Sequence, residues 1–143
     1  MAQPRLFESR LPEYRVVFDG GSLGNPGVGY GSYRITGPGV DSGIVQLEFS
    51  QNGEIVSNNQ AEYRSLIAAL DHLPRLAGRP ARECAVVING DSKLVIEQLS
   101  GRWKVKHPDM KVWHAEAKEL LSGFGEYRLT WHARKNSVKE LGH

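Results

Sequence analysis

The pattern of apolar and polar positions changes period several times along the chain. "YRVVFD", residues 14–19, predicts a strand that runs into a Gly-rich turn. "GYGSYRIT" predicts a second strand, with Tyr30, Ser32 and Arg34 alternating against Gly31, Tyr33 and Ile35. "GPGVDSG" reads as a turn and "IVQLEFS" as a third strand, so the first three strands suggest an antiparallel meander. Over residues 59–73 the period becomes helical, with Tyr63, Leu66, Ile67, Leu70 and Leu73 on one stripe and Ser57 or Asn58 as the cap. After the polar break "PRLAGRPARE", the run "CAVVIN" reads as a strand covered on both faces. "SKLVIEQLSG" reads as a helix ended by Gly101. "HPDMKVWHAEAKELLSGF" reads as a longer helix, with Pro108 in its first turn and Met110, Trp113, Ala117, Leu120, Leu121 and Phe124 as its stripe. "YRLTWHA" closes the pattern as a strand with Tyr127, Leu129 and Trp131 on one face. This order points to an α/β domain, a mixed sheet with helices packed on it. Residues 1–13 read as an N-terminal extension and residues 14–143 as a single domain.

Composition narrows the picture modestly. With 143 residues, 40% of them hydrophobic, the chain suits one globular core. Eighteen Lys and Arg against 16 acids leave a formal charge of +2, too small a surplus to prove nucleic-acid binding. The single Cys84 lies in an apolar run, which excludes an internal disulfide framework and a multi-Cys zinc site. No apolar run reaches the length of a membrane span, and the first 12 residues lack a signal-peptide core. The expectation is a cytoplasmic protein without membrane partners, for which a monomer suffices.

The candidate chemistry lies in three acids. Asp19 and Asp91 each stand where an apolar strand hands over to a turn, an expensive place for a charge unless it is paired or metal-bound. Glu62 flanks the apolar stripe of the first helix and can aim at the same sheet edge. Singly, each has an ordinary reading: a turn acid, a solvated helix acid, a helix cap. Together they suggest a cluster whose mutual repulsion calls for a hard cation such as Mg2+ or Mn2+, the arrangement of phosphoryl-transfer sites with two metals.

"FDGGSLGNPGVGYG", "SNNQAEYRSLIAAL" and "INGDSKLVIEQLSGRWKVKHP" resemble the signature blocks of type 1 ribonuclease H, in its compact form without the basic handle. The resemblance covers residues 16–135. It implies a ribonuclease H-like fold, with a central five-stranded mixed sheet, the first three strands antiparallel, flanked by helices. It implies an endonuclease that cuts the RNA strand of an RNA–DNA hybrid and leaves 5′-phosphate and 3′-hydroxyl ends. Asp19, Glu62 and Asp91 match the family's first three metal ligands, which hold two Mg2+ ions, with Mn2+ as substitute. One ion would activate the attacking water and the other stabilise the leaving oxygen.

The tail "WHARKNSVKELGH" departs from the family, which places an Asn and, four residues on, an Asp. Four from Asn136 is Glu140; aligning "KELG" instead puts Lys139 in the Asp position. Glu140 is the expected fourth ligand, with Asn136 as the alternative. The last helix is expected barely to form, and a weaker second metal site is expected to lower activity or favour Mn2+. Arg134 matches the position where compact members carry an Arg thought to assist proton transfer or product release. His132 reads as structural.

The resemblance also assigns substrate contacts. Asn25, Asn58 and Gln60 match positions facing the minor groove and adjoining phosphates, and Ser57 matches a Thr that binds DNA phosphate. Gly20 and Gly21 either let backbone approach a ligand or only make the turn. Arg102, Lys104 and Lys106 alternate around Trp103 and Val105, a stripe able to follow a DNA backbone. Trp103 is a packing residue or a stacking platform. Two competing functions remain: a hybrid-binding module without catalysis, suggested by the irregular tail, and another nuclease on the same sheet scaffold. A phosphate-binding loop is disfavoured because no Gly-Lys-Ser/Thr follows the glycines.

Overall fold

A parallel pair of strands organises the molecule. The computed structural model describes Phe7 and residues 10–142, so most of the expected N-terminal extension, residues 1–6, 8 and 9, lies outside the described residues. Strand β1 (Glu13–Leu23) pairs antiparallel with β2 (Val28–Gly37) and parallel with β5 (Ala85–Gly90). The parallel β6 (Glu126–Trp131) extends the sheet beyond β5. The expected third strand is β4 (Val45–Glu48); a two-residue strand, β3 (Val40–Asp41), forms inside the expected turn 37–43 with a break before β4, and both pair with β2. The break has a local cause. Arg34 clamps Asp41, Ser42 Oγ accepts the Ile35 N–H at 2.8 Å, and Gly43 takes φ 65°. The sheet order is β3-β2-β1-β5-β6, with β4 beside β2, so the antiparallel meander is present and the sheet is mixed.

Tyr14, Val16 and Phe18 of β1, Tyr33 and Ile35 of β2, and Val86 and Ile88 of β5 bury one sheet face against helix α1 (Asn58–Ala77). Ser57 caps α1 with a capping box: its Oγ accepts the Gln60 N–H and Gln60 Oε1 accepts the Ser57 N–H. The helix continues one turn past the expected end, through Pro74, to a left-handed Gly78. Helices α2 (Lys93–Leu99) and α3 (Pro108–Ser122) pack beside α1. On α3, Met110, Ala117 and Leu121 are buried, whereas Trp113 and Leu120 only border the core. Cys84 is fully buried as a small apolar residue.

The tail differs from expectation. Arg134–Leu141 forms a two-turn helix, α4, against β1 and β2 on the other sheet face. Leu141 and Ser137 are buried, His132 bonds Ser137 Oγ through Nε2 at 2.8 Å, and Gly142 closes the helix in left-handed conformation. Tertiary anchoring replaces the length that an isolated helix would need.

Candidate metal and nucleic-acid site

The pairing of β1 with β5 ends at Phe18 opposite Gly90, so Asp19 and Asp91 stand at one level just past the last paired residues of adjacent strands. Asp19 is not a strand end, as the sequence suggested; β1 runs four residues further, paired only with β2. Beyond this point β5 gives way to the turn before α2, while β1 continues beside β2. Asp91 is released from capping duty because Ser92 caps α2, its Oγ accepting the Val95 N–H at 3.3 Å.

Glu62 reaches the same point through Gly20. A Cβ on Gly20 would lie 2.4 Å from the Ala61 carbonyl carbon and 2.6 Å from the Glu62 nitrogen, so only glycine lets α1 press onto β1 here. Gly20 therefore serves helix packing. Gly21 has a different neighbour: the Tyr30 ring lies where its Cβ would be.

Carboxylate oxygens of Asp19, Glu62 and Asp91 all lie within 4.8 Å of one another. Asp19 and Glu62 are buried, and Glu62 shares a hydrogen bond with Asp19. The Gly20 N–H donates to Asp19 Oδ1 at 3.0 Å. Glu62 Oε2 and Asp91 Oδ2 are buried with no hydrogen-bond partner among the described residues. Burial, then the Asp19 and Asp91 charges, pushes the Glu62 carboxyl well above its ordinary range; burial and Asp91 raise Asp19 as well. Unpartnered buried oxygens and strained ionisation fit a set of hard oxygen ligands for a divalent cation.

Arg134, at the start of α4, sets its Nη1 3.9 Å from Asp19 Oδ2 and 3.8 Å from Asp91 Oδ2. Its side chain is 68% exposed, so it covers the cluster without being locked in it. Glu140 stands elsewhere. It is exposed, its charge acts on Arg34, and among the described residues the carboxylate group contains only the other three. Six residues after Arg134, it falls on a different side of α4, and Asn136 falls nearly opposite Arg134. Among the described residues of α4, the side chain within 4 Å of the carboxylate cluster is thus a cation, Arg134.

The remaining expected contacts form two groups. Asn25 Oδ1 accepts the Asn58 N–H at 3.0 Å, joining the β1–β2 turn to the start of α1 beside Ser57 and Gln60. The second group follows α2. Arg102 pairs with Glu97, Lys104 is exposed, and Gln98 Nε2 donates to the Lys104 carbonyl at 3.3 Å. Val105 packs toward the core while Trp103 is 44% exposed, so the packing reading of Trp103 is replaced by an open indole. The sequence showed the alternation of Tyr30 and Ser32 on β2 but not their partners Glu48 and Gln46 on β4, which appear only once the register is known.

A family model described as reverse transcriptase-like matches residues 40–139. The Mycobacterium tuberculosis bifunctional protein Rv2228c is 47% identical over 121 residues, 84% of this chain. The structure of its N-terminal RNase H domain, solved as a fusion with maltose binding protein, superposes with a TM-score of 0.78, covering 90% of this chain and 88% of that one. RNase H1 from Halobacterium salinarum superposes with a TM-score of 0.75 at 32% identity, covering 90% of this chain and 91% of that one. The chain belongs to the type 1 ribonuclease H family. LC11-RNase H1, solved in complex with an RNA/DNA hybrid, shares the ribonuclease H fold at 24% identity and a TM-score of 0.75. The chain spans 31% of the Rv2228c sequence and 53% of the Halobacterium salinarum ribonuclease HI sequence, which is 38% identical over 117 residues.

Proposed function

We propose that this ribonuclease H domain hydrolyses the RNA strand of RNA–DNA hybrids with divalent metal ions, leaving 5′-phosphate and 3′-hydroxyl ends. The observation that carries the proposal is the set of three carboxylates within 4.8 Å, two of whose buried oxygens have no hydrogen-bond partner among the described residues. Asp19, Glu62 and Asp91 would hold two Mg2+ ions, with Mn2+ as substitute. When bound, such ions supply Lewis acidity to the scissile phosphate and lower the pKa of a bound water. The protein's own part is positioning. The end of the β1–β5 pairing presents Asp19 and Asp91 together, and Gly20 lets α1 deliver Glu62. Arg134 offsets the charge of the cluster and, with its side chain 68% exposed, can turn toward a phosphate or leaving group. The start of α1, with Asn25, Ser57, Asn58 and Gln60, would face the minor groove, where 2′-hydroxyls distinguish RNA from DNA. Arg102, Trp103 and Lys104 would follow the DNA strand.

The position of Glu140 outside the cluster supports a second reading, a hybrid-binding module with little catalysis. End-labelled hybrid incubated with a Mg2+ and Mn2+ series, beside Asp19→Asn, decides between them. Cuts lost in Asp19→Asn support the nuclease; retention of hybrid without cuts in either metal supports the module.

A further inference from the structure

Beside the carboxylates, on the sheet face that α4 only partly covers, lies a cavity of about 700 Å3 lined by Tyr30, Gln46, Glu48, Gln51 and Arg134, with backbone of Gly31 and Leu47. Its volume falls in the range of small-ligand sites. Tyr30 pairs with Glu48 and Ser32 with Gln46 across β2 and β4, so Tyr30, Gln46 and Glu48 share one face. On its other side Tyr30 pairs with Gly21. A Cβ there would lie 2.6 Å from the Tyr30 hydroxyl oxygen and 2.8 Å from Cζ, so the ring lies down over bare backbone. Tyr30 is 39% exposed while its ring rests against β1 at Gly21. Glu48 is held by Gln51, whose Nε2 donates to Glu48 Oε2 at 2.9 Å. Arg134 lines this cavity and also contacts Asp19 and Asp91.

We propose that this cavity is a subsite for an unpaired ribonucleotide adjoining the scissile phosphate, a proposal that rests on the nuclease reading above. The parts match a nucleotide's parts. The exposed Tyr30 ring offers a stacking surface for a base. Among the described residues of the lining Arg134 is the one cation, offered to a phosphate at the end of the cavity nearest the metal ligands. Glu48 repels phosphate but accepts from a ribose hydroxyl or an exocyclic amine. Gln46 offers an amide that both donates and accepts. Adenine and cytosine carry an exocyclic amine on the exposed edge and uracil does not, so the subsite favours A and C over U.

Two measurements test this. In the first, the 15N-labelled protein in EDTA is titrated with single-stranded rA4 and rU4. Backbone amides of Tyr30, Gln46, Glu48 and Gln51 should shift with rA4 and much less with rU4. In the second, cleavage is compared for blunt hybrids and for hybrids with an unpaired RNA extension on either end. At least one extension should raise kcat/KM about tenfold, an advantage that Tyr30→Phe keeps and that Tyr30→Ala and the Gln46→Ala, Gln51→Ala double variant lose. Absence of amide shifts in the cavity with rA4 overturns the subsite. So does an extension advantage that survives Tyr30→Ala. If no hybrid is cut at all, the nuclease reading fails, and the amide shifts still decide whether the cavity binds unpaired RNA.

Discussion

Asp19 and Glu62 are held in a state that water would not choose for them, and this sets how the metal-free protein responds to pH. Both carboxyls ionise above their ordinary values in the folded chain, chiefly through burial, and secondarily through Asp91 for Asp19 and through Asp19 and Asp91 for Glu62. The native state therefore binds more protons than the unfolded state once pH passes the ordinary values of 3.8 and 4.5. Stability must fall as pH rises from there until the raised folded values are passed, and then level off. Asp41 has the opposite sign: Arg34 lowers it to about 2, so its contribution is present above its ordinary value and is lost as pH falls through the folded one. Thermal melts in EDTA should thus show Tm declining as pH rises from about 5 toward neutrality, and saturating Mg2+ should remove the decline. Glu62→Gln should melt higher than the parent in EDTA at pH 7, by a few degrees, while losing Mg2+ stabilisation and cleavage. A parent Tm that rises steadily over pH 5–7 in EDTA would contradict this account. Arg134 works against the same repulsion from outside. Arg134→Ala should lower kcat by roughly 10²-fold on hybrid substrate, with KM changed less, as measured by steady-state cleavage.

At the scale of elements, the site depends on two contacts that hold helices to the sheet. The first is α1 against β1 at Gly20, where added bulk has only backbone to meet. Gly20→Ala should cost about 1–3 kcal/mol in urea denaturation and displace Glu62, weakening Mg2+ binding by calorimetry. The second is α4, anchored by Leu141. Leu141→Ala should cost about 2–5 kcal/mol and free Arg134 from the cluster, lowering cleavage beyond what lost stability explains. These two contacts also mark where sequence reading succeeded and where it stopped. The helices and the apolar strands were legible because burial on a regular period leaves a regular stripe, as on residues 59–73. The convergence of Asp19, Glu62 and Asp91 was legible because acids after apolar runs are costly and therefore informative. The short strand β3 inside the expected turn 37–43 was not, because it is held by the Arg34–Asp41 clamp and the Ser42 bond, which join residues several positions apart. The formation of α4 was not legible either. A short polar tail has weak helical propensity, and its stability comes from burying Leu141 and Ser137. The open indole of Trp103 was hidden for a similar reason: Val105 takes the inward position in that loop.

On the scale of the whole molecule, a formal charge of +2 is too small to hold a polyanion, so binding has to come from where the cations sit. The loop after α2 exposes Arg102, Lys104 and Lys106 beside Trp103. These cations are not equivalent. Arg102 is engaged by Glu97, which lowers its free charge, whereas Lys104 has its side chain in solvent and only its carbonyl tied to Gln98. Each cation that displaces condensed counterions from a nucleic acid contributes roughly 0.7–0.9 to the slope of log affinity against log salt. Lys104→Ala should therefore lower the slope by about that amount, and Arg102→Ala by less, since the Glu97 charge it uncovers already offsets part of its attraction. Trp103→Ala should weaken binding by about 1–3 kcal/mol while leaving the slope unchanged, because stacking releases no ions. Fluorescence anisotropy of the cleavage-deficient Asp19→Asn protein with labelled hybrid across a salt series measures all three. Equal slopes for the parent and Lys104→Ala would mean that this loop does not touch the nucleic-acid backbone. The hybrid would then have to be held by the amides at the start of α1 and by the metal site alone.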